Sequence, residues 1–89
     1  MYLKISTPSE SFTSQVLTAS HVEKREPVYI QTNLSAPATV RIQGRLEDDM
    51  PWVDLRAVTE DGIYSLQAAD EMRIVVEGNA GRVQLLLSQ

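Results

Sequence analysis

TVRIQGRL, residues 39–46, is the stretch whose reading decides the fold class. Val40, Ile42, Gly44 and Leu46 occupy one parity, and Thr39, Arg41, Gln43 and Arg45 the other. In an extended chain successive side chains point to opposite faces, so this segment has one apolar face and one charged face. A period of two in place of 3.6 marks a half-buried strand.

The same alternation recurs downstream. Val53 and Leu55 stand against Asp54 and Arg56, and Ile63 and Leu66 follow the turn EDG. Met72, Ile74 and Val76 stand against Arg73 and Glu77, and Val83, Leu85 and Leu87 close the chain. Glu60-Asp61-Gly62 and Gly78-Asn79-Ala80-Gly81 have turn chemistry and are expected to be hairpin loops of a meander. Upstream, PVYIQT at 27–32 reads as a further strand closed by NLSAP, where Pro37 cannot donate to a ladder. Within residues 1–26, YLKIS reads as a strand, and SQVLTASHVEKRE as a strand or one helical turn; the segment is either an N-terminal arm or an edge strand. Short strands at close spacing without a helical period predict an all-β fold, a small antiparallel β-sandwich or barrel of about 7–8 short strands.

Eighty-nine residues suit one domain, since single domains usually run from about 50 to 250 residues. So short a chain buries a modest share of its surface, which favours oligomerisation or docking on a larger body. The net charge is −4, and no stretch gathers Lys and Arg into a phosphate-binding face, so no nucleic acid partner is expected. With no cysteine there is neither a disulfide framework nor a thiolate metal site, and the single His21 rules out an all-histidine one. The polar N-terminus lacks a signal-peptide core, and no segment reaches the ~20 apolar residues of a membrane span, so neither export nor a membrane partner is expected.

Candidate chemistry is sparse. Glu47, Asp48, Asp49 and Asp54, in EDDMPWVDL at 47–55, could offer oxygen ligands to calcium, but they lack the glycine and terminal glutamate of an EF-hand loop. A solvated turn is the favoured reading, and neither a metal nor a cofactor is expected. Adjacent turn carboxylates share bulk water and make a poor acid/base pair. Ser20 and His21, adjacent in sequence, would point to opposite faces of a strand and give no triad. An enzyme is therefore not expected.

Four residues stand out as interface candidates. Trp52, after Pro51, either covers the end or outer face of the sheet or anchors a protein contact. Arg56 and Arg73, with Arg41 and Arg45, are expected on the outward sides of the strands, as cross-strand ion pairs or a polar contact surface. Leu86, between Leu85 and Leu87, faces away from the core, either beneath the N-terminal segment or in a subunit interface.

The run ATVRIQGRLEDDMPWVDLRAVTEDGIYSL, followed by EMRIVVEGNAGRVQLLL, resembles small virion proteins of tailed bacteriophages. Val40, Ile42, Gln43, Gly44 and Leu46 match the first strand of that pattern, Trp52, Val53 and Leu55 the second, and Gly62, Met72, Arg73 and Ile74 the later ones. The likeness covers residues 38–88, and the EDDMP turn departs from it where related turns usually carry a glycine. It implies a non-enzymatic β-sandwich subunit repeated on the particle and assembled in the host bacterial cytoplasm. Capsid decoration is preferred over a neck or tail position, with other virion proteins and further copies of the chain as partners. A similar "Q-G-S-x-D-G-x-x-W" run in discoidin-type domains implies an alternative, a carbohydrate- or lipid-binding module using the 47–52 turn and Trp52.

Overall fold

The computed structural model describes all 89 residues. Its nine strands are β1 (Tyr2–Thr7), β2 (Phe12–Thr13), β3 (Leu17–Thr18), β4 (Pro27–Leu34), β5 (Thr39–Arg45), β6 (Val53–Val58), β7 (Gly62–Gln67), β8 (Glu71–Glu77) and β9 (Val83–Ser88). One 3-10 turn, Glu23–Arg25, is the sole helical element. The strands form two antiparallel sheets, so the all-β sandwich expected from the alternation is what folds, with open sheets and no closed barrel. The first has the order β1-β9-β4-β7; in the second, β6, β5 and β8 are followed by β2 and β3, both paired to the far side of β8.

The pairings nest: β1 with β9, the β2–β3 edge with β8, β4 with β7, and β5 with β6. With the broken edge counted as one strand, this is the double Greek key of a jelly roll. Ser14 bridges the break. Its N–H donates to the Ile74 carbonyl at 2.8 Å, and its hydroxyl accepts from the Ile74 N–H at 2.9 Å, so a side chain stands in for the missing backbone acceptor.

The nesting overturns the expected meander, because only β5 and β6 form a hairpin. The segments at 60–62 and 78–81 instead carry the chain from one sheet to the other. Each is anchored to strands of the first sheet. Asp61 accepts from the Leu34 N–H at 2.7 Å, and the Glu60 carbonyl accepts from the Thr32 hydroxyl at 2.8 Å. Asn79 is buried, its amide donating to the carbonyls of Thr7 at 3.2 Å and Ser9 at 2.9 Å. Gly78 takes φ +61°, which glycine adopts without strain.

The core lies between the sheets, where Val28, Ile30, Val40, Ile42, Met72, Ile74, Val76, Val83 and Leu87 have essentially no exposure. Burying each such side chain contributes roughly 1.5–3 kcal/mol. Four expected core positions are not core. Leu46 lies beyond the end of β5 and is exposed; Ile63 points outward, because Tyr64 and Leu66, opposite Ile30 and Val28, fill the inner face of β7. Val53 and Leu55 are exposed because β6 is an edge strand with a β-bulge: Ile42 pairs with Arg56 and Gln43 with Asp54, leaving Leu55 as the extra residue.

Residues 1–26 supply edges. β1 pairs with β9 along its whole length, from Tyr2 opposite Ser88 to Thr7 opposite Val83, and the N-terminal ammonium pairs with Glu23. Before the 3-10 turn, Ser20 and Glu23 cap reciprocally: the Glu23 N–H donates to the Ser20 hydroxyl at 3.2 Å, and the Ser20 N–H to the Glu23 carboxylate at 2.8 Å. No helix is long and apolar enough to cross a membrane.

Candidate interaction site

The outer face of the five-stranded sheet carries a continuous polar network across β6, β5 and β8. Arg45 and Glu71 are opposite one another in the ladder and pair at 2.7 Å, the least exposed side-chain ion pair of the chain. Arg73 donates to its cross-strand partner Gln43 at 2.8 Å, and Gln43 donates in turn to Asp54 at 2.9 Å. Arg41 closes the row, pairing with Asp54 at 2.8 Å and Glu77 at 3.3 Å. The hydrogen bond from Gln43, reinforced by Arg41, holds the Asp54 carboxyl below its ordinary value, and Asp54 with Glu77 pushes the Arg41 guanidinium up.

Trp52 lies on this face and not at the tip of the hairpin. The guanidinium carbons of Arg45 and Arg73 sit 4.2 and 4.5 Å from its ring centroid. Two cation–π contacts therefore hold the indole, each worth about 0.5–1 kcal/mol at an exposed site. Trp52 and Arg73 are thus brought together. Arg56 and Leu86 lie elsewhere.

Arg56 departs from the expected outward row. The bulge places it opposite Ile42 on the inner side, at the open flank of the sandwich, where its guanidinium lies 4.6 Å from the Tyr64 ring centroid on the other sheet. Leu86 faces out from the middle of the four-stranded sheet between Lys4 and Gln31, beside a shallow groove of about 300 Å³. β1 runs alongside Leu86, not over it, so the N-terminal segment does not cover it.

The β5–β6 connection itself is the surface that reading by alternation missed. Leu46 is 69 % exposed, Val53 54 % and Met50 52 %; with Pro51 and the stem of Arg45 they line an apolar depression of about 420 Å³. Glu47, Asp48 and Asp49 are all exposed around it, and no three acidic or imidazole side chains of the chain converge as metal ligands would. The sequence did carry a signal for this tip: three apolar residues, Leu46, Met50 and Pro51, inside an otherwise acidic turn.

Comparison with protein-family models, with curated proteins and with solved structures finds no match for this chain.

Proposed function

We propose that this chain is a non-enzymatic structural protein of a tailed-phage virion, a capsid decoration protein that acts through protein–protein contacts. The observation that carries the reading is the β5–β6 tip. Large apolar side chains exposed together inside a polar rim are the usual mark of a contact surface, because their burial against a neighbour supplies the association energy.

Two further features support it. The resemblance over residues 38–88 falls on β5, β6, β7, β8 and β9, the strands that build most of both sheets. Jelly rolls are also common among viral capsid domains, although the fold hosts other functions, lectins included. The alternative of a sugar- or lipid-binding turn draws less support, since Trp52 is held against the sheet by Arg45 and Arg73, leaving no free aromatic platform at the tip.

The test is occupancy in particles. Phage particles from cells producing the chain, purified on a density gradient, should contain it in fixed ratio to the major shell protein. A chain confined to the unassembled fraction, with intact particles free of it, would refute the reading.

A further inference from the structure

We propose that β7 pairs antiparallel with β7 of a second copy, joining two four-stranded sheets into one. The inference rests on how the free edges of the sandwich are protected and does not depend on the virion reading.

An open edge presents unpaired N–H and C=O groups, and proteins blunt such edges with short strands, bulges, lysines or inward-pointing charges. Three of the edges here are blunted. β1 carries Lys4 at mid-strand, and the β2–β3 edge is broken into two fragments of two residues each. β6 has both a bulge and Arg56 turned to the inner side.

The fourth edge has none of these devices. β7 reads GIYSLQ, with no charge and no proline, and pairs with β4 over all six residues without a register shift. Its Ile63, 71 % exposed, is the most exposed large apolar side chain of the chain.

Charge complementarity singles out a second copy as the occupant. β7 starts directly after Glu60 and Asp61. It ends beside Lys24 and Arg25, where the Gln67 side chain donates to the Lys24 carbonyl at 2.5 Å. Neither Glu60 nor Arg25 is engaged in an ion pair within the chain. Antiparallel self-pairing brings the acidic start of each strand to the basic end of the other, twice over.

The pleat also restricts the register. Opposed residues must share a face, so the two-fold axis passes through a residue and not between two. An axis through Ser65 sets Tyr64 of one copy opposite Leu66 of the other on the inner face, and Ile63 opposite Gln67 on the outer. An axis through Tyr64 would crowd the two Arg56 side chains, since each lies over its own Tyr64.

Light scattering after size exclusion, across a concentration series up to the millimolar range, tests this. The wild-type chain should reach twice the single-chain mass. Ile63→Lys and Ser65→Lys, both at exposed outer-face positions, should raise the dissociation constant about tenfold or more while circular dichroism stays unchanged. Arg25→Glu and Glu60→Lys should each weaken the dimer, and the two together restore it. A wild-type chain that stays at single-chain mass, a dimer indifferent to both lysine variants, or charge swaps that fail to compensate would overturn the proposal. Hydrogen exchange on the wild type supplies a reading independent of variant folding: protection of the β7 amides should rise with concentration, and unchanged protection would overturn the proposal as well.

Discussion

Arg56 and Tyr64 belong to different sheets, yet the guanidinium of one lies 4.6 Å from the ring centroid of the other. The contact closes the flank of the sandwich where β6 and β7 run as neighbouring edges. It exists because the bulge at Leu55 turns Arg56 from the outer to the inner side of β6.

Arg56→Ala should therefore destabilise the fold by about 1 kcal/mol, through loss of a cation–π contact and of the packed side-chain stem. Arg56→Lys should recover part of that loss. Urea denaturation midpoints with an unchanged slope are the measurement.

A second expectation concerns Trp52, the chain's only tryptophan and so an unambiguous fluorescence reporter. With two guanidinium groups against its ring, iodide should quench it more efficiently than caesium, because the local field concentrates anions. Replacing both Arg45 and Arg73 with alanine should remove that preference. Equal quenching by both ions in the wild type would show the indole free of the arginines.

Asp54 gives a pH prediction. Its folded-state pKa lies below the ordinary value of 3.8, chiefly through the Gln43 hydrogen bond and then through Arg41. A depressed carboxyl pKa contributes stability that is present above the ordinary value and is lost as pH falls through the folded one. The stability gap between the wild type and Asp54→Asn should hold steady from neutral pH down to 3.8 and shrink below it, as followed by denaturation at each pH. Arg41, shifted upward, stays charged throughout.

Core packing supplies the largest expected effects. Ile74→Ala, at a position with no exposure, should cost about 2–5 kcal/mol. Gly44→Ala errs in the other direction, since an added Cβ would lie 2.8 Å from both the Ala69 Cβ and the Leu55 Cδ1. The leucine tip can rotate away but the alanine carbon cannot, so a cost of about 1–3 kcal/mol is expected from overpacking. Thermal or urea unfolding distinguishes both variants from the wild type.

Strand identity was legible where both faces of a strand are decided by the sheet it sits in. Val40 and Ile42, Met72, Ile74 and Val76, and Val83, Leu85 and Leu87 all face the core, as the alternation predicts. The reading failed where another factor sets the face. In β6 the bulge inserts Leu55 and shifts the parity of what precedes it, and an inserted residue leaves no mark on hydrophobic periodicity. In β7, Ile63 and Leu66 stand three residues apart and cannot share one face of a strand.

The turns at 60–62 and 78–81 were recognisable as turns but not as crossings between sheets. What sends them across is partners distant in sequence, Leu34 for Asp61 and Thr7 and Ser9 for Asn79. Among the interface candidates, Trp52 and Arg73 meet on one face, while Arg56 and Leu86 are separated from them by the bulge and by the sheet assignment of β9. The apolar tip lay hidden inside an acidic turn whose charges dominated its reading.

The central claim, that the chain works by docking its β5–β6 tip on a neighbouring virion protein, is tested most directly by particle incorporation of the double variant Leu46→Asp, Met50→Asp. Both side chains are more than half exposed, so the fold should survive, as circular dichroism would verify. The account predicts that this folded variant is lost from gradient-purified particles that still take up the wild-type chain. Incorporation of the variant at the wild-type ratio would contradict it.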